Sequence, residues 1–486
     1  MNKPIRRVSI FCLVLILALM IRTNWVQGVQ ADAWASNSHN DRNKYDRYAY
    51  PRGNIIVGGQ PVTKSDFVNG YRYKYKRAWV DGPMYAPITG YSSQAFGTSQ
   101  LESLEDGILS GTDSRLFFRN TLDMLTGKQK QGGDVVTTIN AKAQKAAFEG
   151  LGDKKGAVVA IDPQTGAIRA LVSTPSYDPG RFAGTGAEDS KAWTDLNADA
   201  NKPMLNRALR ETYPPGSTFK LVTAAAAFEN GRFQSVEDTT DTPETYLLPG
   251  TNTPLKNASA TEPCAGATVK TGMDFSCNTV FGKIGADLGR DKLRAQAEKF
   301  GFNNAQIDVP IRAVPSYYPK GSSPDGTAMD AIGQHDTRAT PLQMAMVAAA
   351  IANNGSLMQP YLVEEERAAN LTTISKHSEH QLSQAVSPAT AQKLQQLMES
   401  VVKNGTGTKA QIDGVTVGGK TGTAQHGQDN SGLPFAWFMS YAKGADGQQI
   451  AVAVVVEDGA AESSEISGGG IAAPIAKQVM EAVLGK

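Results

Sequence analysis

The sequence has almost no excess charge and few cysteines, and both shortages exclude classes of function. Its 486 residues carry 48 lysines and arginines against 47 aspartates and glutamates, a net charge of +1. A chain without a basic excess gives no electrostatic reason to bind nucleic acid. The 3 cysteines lack the spacing of zinc ligands. His377 and His380, in a polar stretch, are better explained as solvated side chains than as a metal site. We therefore predict no metal and no cofactor.

Long apolar runs are also missing, except for one near the N-terminus. Basic residues precede residues 8–21, which carry no charge and would span about 21 Å as a helix, less than the ~30 Å of a hydrocarbon core. The residues that follow can lengthen the span, with Trp25 at the interface. We favour an uncleaved signal anchor over residues 1–29 to a cleaved signal peptide, because the small-residue patterns at 31–35 come late. In both cases the basic flank stays inside, and the rest of the chain is expected outside the cell membrane.

Two of the cysteines, Cys264 and Cys277, fall in the extracytoplasmic part, where disulfides are permitted. Cys12 falls in the apolar run. The sequence leaves two alternatives for the pair, a bridge or two free buried thiols.

The composition and apolar patterning of the chain predict three parts after the anchor. Residues 30–50 are polar and unpatterned, as in a linker. Residues 51–134 combine short apolar runs with many glycines and tyrosines, which indicates an irregular α+β module that serves as a pedestal or an interaction surface. Residues 135–486 have strand patterns at both ends and helical patterns between them. That order is typical of an α+β domain whose early and late strands share a sheet.

Apolar periodicity and turn residues predict the elements of this last part. Residues 135–152 indicate a strand and then a helix. Asp162-Pro163-Gln164-Thr165-Gly166, between two β-branched runs, predicts a hairpin. The remaining expectations are helices over 218–231, 340–355, 385–407 and 471–485, and strands over 415–425, 435–442 and 449–458.

Residues 414–421, "GVTVGGKT", satisfy the G-x-x-x-x-G-K-T pattern of a nucleotide-binding P-loop. A P-loop needs a helix that begins at the Lys-Thr pair, because the helix N-terminus holds the phosphates. Here Gly422, Thr423 and a polar, Gly-rich stretch follow instead. The variable positions "VTV" favour a strand over a loop. We therefore predict that no nucleotide binds.

Lys-Thr-Gly on a strand is also one of three elements that occur together in serine acyl-transferases: S-x-x-K, S-x-N and K-T-G. Residues 217–220, at a helix start, supply the first, residues 276–278 the second, and residues 420–422 the third. Residues 400–403 and 38–40 also match the first two patterns. We attribute those matches to chance, because the former lie deep in an amphipathic helix and the latter in the linker.

The chemistry of acyl transfer explains these residue types. A serine such as Ser217 is a nucleophile only when a base takes its proton. Lys220 shares a helix face with it and can be that base if burial and a second cation, Lys420, lower its pKa. Ser276 is the candidate relay to the leaving amine. Asn278 offers a donor and an acceptor to a peptide amide.

The strand residues suit a substrate carboxylate. Lys420 and the hydroxyls of Thr421 and Thr423 are its predicted partners. Gly422 is predicted to remove a side chain where substrate lies against the strand edge.

On these motifs the chain resembles the class B penicillin-binding proteins, monofunctional peptidoglycan D,D-transpeptidases. The resemblance runs from "YPRGNIIVGG" through "NRALRETYPPGSTFKLVTAAAAFENG" to "VGGKTGTAQ". It implies a transpeptidase/β-lactamase-like domain, a five-stranded antiparallel sheet flanked by helices, behind an N-terminal module and an anchor. It also implies that Ser217 attacks D-alanyl-D-alanine to form an acyl-ester, with an oxyanion hole at the amides of Ser217 and Thr423.

The resemblance implies partners as well: peptidoglycan stem peptides, the lipid-linked precursor, β-lactams, the membrane and proteins of the division or elongation machinery. The role would lie in cell wall synthesis and cell division. One departure from the family pattern is Cys277 in the middle of S-x-N. A bridge to Cys264 would staple the loop that bears Ser276 and Asn278.

Other functions remain open at this stage: a D,D-carboxypeptidase, a β-lactamase, or a penicillin-binding scaffold or sensor. A β-lactamase needs a second acidic base, and the sequence does not identify one. A bifunctional glycosyltransferase is excluded on space, because only about 110 residues separate the anchor from Val135, less than a catalytic domain with its linkers requires.

Overall fold

The structure is a computed structural model that describes residues 3–30, 34, 45, 47–68, 73–116, 126–127, 129–425, 432–458 and 467–486. Most of the predicted linker, residues 30–50, lies outside the described residues, as does the polar stretch 426–431.

The N-terminal helix, α1, runs over Lys3–Gly28 with its side chains exposed. It has 26 residues, an 18-residue window of it has a mean hydropathy of 2.2, and among the described helices it alone is long and apolar enough to cross a membrane. At 1.5 Å per residue it measures about 39 Å, more than a hydrocarbon core. The helix exceeds the apolar run 8–21 because flanking polar residues continue it at both ends.

The strands are numbered in chain order. They are β1 Ile55–Val57, β2 Gln60–Pro61, β3 Thr63–Phe67, β4 Tyr75–Trp79, β5 Ser92–Ser93, β6 Gly97–Thr98, β7 Asp134–Thr137, β8 Lys155–Ile161, β9 Ile168–Thr174, β10 Tyr246–Leu247, β11 Pro254–Leu255, β12 Ser356–Met358, β13 Val363–Arg367, β14 Thr373–Lys376, β15 Gln381–Gln384, β16 Thr416–Ala424, β17 Phe435–Lys443 and β18 Gln449–Asp458.

The helices after α1 follow the same convention. They are α2 Gly82–Thr89, α3 Gln100–Leu104, α4 Asp106–Ser110, α5 Ala141–Leu151, α6 Ala187–Ala198, α7 Arg207–Arg210, α8 Lys220–Glu229, α9 Val269–Asp274, α10 Asn278–Leu288, α11 Arg290–Lys299, α12 Pro324–Asp330, α13 Pro341–Ala352, α14 Pro388–Asn404 and α15 Ala473–Leu484. Single 3₁₀ turns cover Ser114–Leu116, Pro179–Phe182, Gly216–Phe219 and Thr408–Ala410, and a π-helical turn covers Gly468–Ala472.

A five-stranded antiparallel sheet in the order β16-β17-β18-β8-β9 forms the centre of the molecule and confirms the fold expected from the resemblance. Successive side chains alternate between its faces. Val159 belongs to the core that includes α8 and α13, and Val158 belongs to the core formed with α5 and α15. Because both faces are buried, β8 and β18 are nearly continuous apolar runs.

The predicted elements of this region are confirmed, and their ends have local causes. In the β8–β9 hairpin the Oδ1 atom of Asp162 accepts from the N–H of Gln164 at 3.1 Å. Helices α13 and α14 begin after Thr340 and Ser387, whose hydroxyls cap the third N–H of each helix. The helix predicted over 218–231 differs in one respect, since it begins with the 3₁₀ turn and becomes α-helical only at Lys220.

A second five-stranded sheet, β14-β13-β7-β1-β2, joins the N-terminal module to the later chain. Strand β7 pairs in parallel with β1 and antiparallel with β13. The module boundary predicted between residues 134 and 135 therefore falls inside a shared strand. Sequence did not indicate β13, "VEEER", because its polar residues carry no apolar alternation.

Candidate active site

Ser217 lies on the 3₁₀ turn Gly216–Phe219, immediately before α8. Gly216 adopts a φ of +54°, in the left-handed region that favours glycine. Its N–H donates to the carbonyl of Gly333 at 2.9 Å. A Cβ added to Gly333 would lie 2.2 Å from the Gly216 oxygen, so this close approach requires glycine there as well.

The turn that carries Ser217 is fixed to the sheet. The indole N–H of Trp437, on β17, donates to the carbonyl of Pro214 at 3.1 Å. A Cβ on Gly216 would lie 3.3 Å from the Thr423 carbonyl, so the turn also lies against β16. Ser217 and Thr423, the predicted oxyanion-hole pair, are thus on neighbouring segments.

Ser276 lies between α9 and α10, with a φ of +57°. A non-glycine residue in that region is uncommon, and such residues concentrate at functional sites. A disulfide joins Cys264 to Cys277. It ties the S-x-N element to the loop before α9, and Cys12 is the free cysteine.

Lys220 connects the first motif to the second. Its Nζ donates to the Ser276 carbonyl at 2.6 Å and to Asn278 Oδ1 at 2.7 Å, and lies 3.3 Å from Ser276 Oγ. Within the described residues these are its hydrogen bonds, and none of them reaches the Ser217 hydroxyl. Ser217 and Lys220 lie on one turn of the chain, but the lysine nitrogen is hydrogen-bonded to Ser276 and Asn278 of the S-x-N element.

Lys420 brings in the third motif. Its Nζ donates to Ser276 Oγ at 2.8 Å and to the Thr421 carbonyl at 3.0 Å. Lys220 and Lys420 are both fully buried. The three short patterns, far apart in sequence, therefore meet at the hydroxyl of Ser276.

Burial and mutual repulsion determine which lysine holds a proton. Burial lowers the pKa of Lys220 well below its ordinary value, and the positive charge of Lys420 lowers it further. Burial also lowers the pKa of Lys420, to about 7, while Asp274 and Glu262 oppose that shift. Lys220 therefore loses its proton first.

A cleft of about 860 Å³ opens in front of these groups. Ser217, Ser276, Asn278, Thr421 and Thr423 line it. Five of the predicted site residues therefore face one space large enough for a peptide terminus.

Gly422 differs from its predicted role. A Cβ there would lie 3.0 Å from Trp437 Cβ and 3.1 Å from the Pro215 carbonyl, and not in the cleft. The period of two along the strand sends Thr421 and Thr423 to the cleft and position 422 to the opposite face. Glycine is needed here so that the turn bearing Ser217 can pack against β16.

The structure argues against the competing interpretations of these sequence patterns. Ser400 is buried, and its hydroxyl hydrogen-bonds Asp274 Oδ2 at 2.9 Å. Strand β16 continues through Thr421 to Ala424, where a P-loop would begin a helix. His377 stacks on the ring of Tyr361, outside the cleft lining.

Two features of the cleft were missed by the motif search. The Thr406 hydroxyl hydrogen-bonds the Thr421 hydroxyl at 2.6 Å, and Glu262 lines the cleft. Neither belongs to a short pattern. The one signal for Glu262 was its place two residues before Cys264.

Comparison with known proteins agrees with this geometry. The family model described as "Penicillin binding protein transpeptidase domain" matches residues 156–481. The model described as "Penicillin binding protein A dimerisation domain" matches residues 52–135. The first covers most of the chain and every motif residue described above.

Similar proteins extend over the full length. "Peptidoglycan D,D-transpeptidase PbpA" of Mycolicibacterium smegmatis is 40% identical over 502 residues, covering 100% of this chain and 99% of its own. The Mycobacterium tuberculosis protein of the same name is 40% identical over 496 residues, with the same coverage. A structure of M. tuberculosis penicillin-binding protein A as a penicillin G acyl-enzyme complex has a TM-score of 0.84 and 39% identity, covering 90% of this chain and 100% of that one. The chain therefore belongs to the penicillin-binding protein transpeptidases and, within them, to class B of the PbpA type.

Proposed function

We propose that the protein is a peptidoglycan D,D-transpeptidase, a serine acyl-transferase that cross-links stem peptides and that β-lactams acylate. The observation that carries the proposal is the convergence of Lys220 and Lys420 on Ser276 in the cleft that Ser217 lines. The names of the similar mycobacterial proteins support the same activity.

In the first half-reaction Lys220 acts as the base. A neutral amine has two N–H groups, and the contacts to the Ser276 carbonyl and Asn278 Oδ1 engage both. Its lone pair is then free to take the proton of Ser217. The Ser217 oxygen forms an ester bond to the penultimate D-alanine carbonyl, and the peptide C–N bond breaks. Backbone amides of Ser217 and Thr423 would bind the oxyanion, at about 3 kcal/mol per donor.

Ser276 returns the proton to the leaving amine. Its Oγ is 3.3 Å from Lys220 Nζ and 2.8 Å from Lys420 Nζ, so a proton can pass from Lys220 through the Ser276 hydroxyl. The leaving D-alanine carries its carboxylate toward Lys420, Thr421 and Thr423. Charge-assisted hydrogen bonds of that kind orient the scissile bond.

In the second half-reaction an amine from a neighbouring stem attacks the ester and restores Ser217. Water in place of the amine would give a D,D-carboxypeptidase or, with a β-lactam ester, a β-lactamase. Among the cleft-lining residues that the structure describes, the one carboxylate is Glu262. Helix α1 and the full-length similarity to PbpA proteins favour the transpeptidase.

The proposed setting is the outer face of the cell membrane. Helix α1 would be a single-pass anchor whose N-terminal end lies inside, since Lys3, Arg6 and Arg7 are in its first turns. The module over 51–134 would act as a pedestal and interaction surface, and the transpeptidase domain would occupy 135–486. Proposed partners are the lipid-linked precursor and proteins of the division or elongation machinery.

The test uses the full chain in detergent and a fluorescent penicillin. Ser217→Ala is expected to abolish labelling and cross-linking of a pentapeptide substrate. Ser400→Ala, in the chance S-x-x-K match, is expected to retain both. Labelling of Ser217→Ala would overturn the assignment of the nucleophile, and an acyl-enzyme lifetime of seconds would favour the β-lactamase.

A further inference from the structure

Glu262 supplies the one carboxylate among the described residues that line the cleft. Lys256 and Lys409 line it too, and Lys420 lies behind Thr421, so the cleft is otherwise cationic. Elsewhere on the described surface, carboxylates such as Glu237 have a lysine partner, here Lys270 at 3.0 Å. In the described part of the chain, no lysine, arginine or histidine nitrogen lies within 4.0 Å of the Glu262 carboxylate.

The position of Glu262 is fixed by the bridge. Its carboxylate and the sulfurs of Cys264 and Cys277 all lie within 4.8 Å of one another. Cys277 is flanked by Ser276 and Asn278, so the loop of Glu262 is tied covalently to the catalytic constellation. The backbone N–H groups of Ser259 and Ala258 lower the pKa of the Glu262 carboxyl, against the larger effect of burial.

The charge of Glu262 acts on both lysines through space. It opposes the lowering of the pKa of Lys220 and of Lys420, although neither lysine forms an ion pair with it. Glu262 is half-buried, and burial raises the pKa of its own carboxyl. A half-buried carboxylate that faces a substrate cleft and has no lysine or arginine partner among the described residues suits a cationic group of the substrate.

We propose that Glu262 binds the ammonium group of the acceptor amine and delivers it to the acyl-ester on Ser217. This inference rests on the proposed transpeptidase function and adds the recognition of the second substrate. The donor peptide presents a terminal carboxylate, which suits Lys420 and the threonines. The acceptor presents an alkylammonium at neutral pH, which suits a carboxylate.

The reaction then balances as follows. The bound R–NH₃⁺ releases one proton to solvent and becomes R–NH₂. Its nitrogen forms a C–N bond with the ester carbon while the ester C–O bond to Ser217 breaks. The second proton passes from nitrogen through Lys220 to the Ser217 oxygen. Glu262 holds the cation before the first step and is unchanged at the end.

The experiment measures acceptor kinetics with the full chain in detergent, after acylation by a thioester donor. Two acceptors are compared at mildly alkaline pH: a primary alkylamine, largely an ammonium, and hydroxylamine, largely uncharged. In Glu262→Gln the KM for the alkylamine is expected to rise about tenfold, while the KM for hydroxylamine stays within about twofold. Glu262→Asp should restore part of the loss. Glu237→Gln, the matched surface carboxylate, should behave as wild type.

Two results would overturn the inference. An equal KM change for both acceptors, together with altered penicillin acylation, would mean that Glu262 acts only through the lysines. Unchanged kinetics in Glu262→Gln would mean that it has no role in recognition. If Glu262→Gln is not acylated by penicillin, Glu262→Asp takes its place in the same comparison. A wild-type protein that penicillin does not acylate would instead refute the proposed function.

Discussion

Lys220 and Lys420 lie on a helix and a strand far apart in sequence, yet both nitrogens approach one atom, the Oγ of Ser276, at 3.3 and 2.8 Å. Two ammonium groups so close in a buried site cannot both remain charged without a large cost. The arrangement therefore keeps one lysine neutral as a base while the other holds the proton.

Removing the second cation should disable the base at low pH. In Lys420→Gln the pKa of Lys220 rises, because the repulsion that helps to lower it is gone. The base works only when neutral, so the acid limb of the acylation rate should move to higher pH. The measurement is the second-order rate constant with penicillin across pH. Lys403→Gln removes an exposed lysine and should leave the acid limb of the pH–rate profile unchanged. An unchanged acid limb in Lys420→Gln would contradict the role of Lys420 in keeping Lys220 neutral.

Recognition of a carboxylate should weaken as pH rises through about 7, the pKa to which burial lowers Lys420. Above it the side chain is neutral and no longer attracts an anion. The ratio of acylation rates for a penicillin and its methyl ester isolates this effect, since the ester lacks the charge. We expect the ratio to fall about tenfold on the alkaline side. A ratio independent of pH would assign the carboxylate to other groups.

Gly422→Ala should slow acylation without touching the substrate. The new methyl would lie 3.0 Å from Trp437 Cβ and 3.1 Å from the Pro215 carbonyl, displacing the turn that holds Ser217. Overpacking of this kind costs about 1–3 kcal/mol. The melting temperature and the acylation constant should both fall. At Gly321 an added Cβ meets no atom within 4 Å, so Gly321→Ala should be near neutral. Equal behaviour of the two variants would refute the packing role.

The bridge should stabilise the site loop. It closes a segment with a separation of 13 residues, for which loop-closure entropy predicts about 3 kcal/mol of stabilisation. Cys264→Ala combined with Cys277→Ala should lower the denaturant midpoint accordingly and reduce acylation, because Ser276 and Asn278 flank Cys277. Cys12→Ala, in α1, is the matched control and should change neither. A double variant as stable as wild type would show that packing alone holds the loop.

Motif chemistry and periodicity predicted much of the fold and most of the site. Strands β17 and β18 carry nearly continuous apolar runs, and the motifs S-x-x-K, S-x-N and K-T-G, the last on the polar and glycine-rich β16, name the residues that the structure brings together. What was missed has a physical reason. Strand β13 is polar, and the role of Gly422 depends on which face of β16 it occupies. Glu262 lies in an unpatterned loop that the Cys264–Cys277 disulfide holds next to the site.

The shared sheet β14-β13-β7-β1-β2 has a consequence for how such proteins can diverge. Strand β7 separates β1 of the upstream module from β13, which comes more than two hundred residues later in the chain. Gene recombination that exchanged the upstream module together with β7 would pair the new β7 with a β13 from the other parent. Natural variants of this module should therefore be inherited together with Val363–Lys376, so the two stretches form one evolutionary unit despite their distance along the gene.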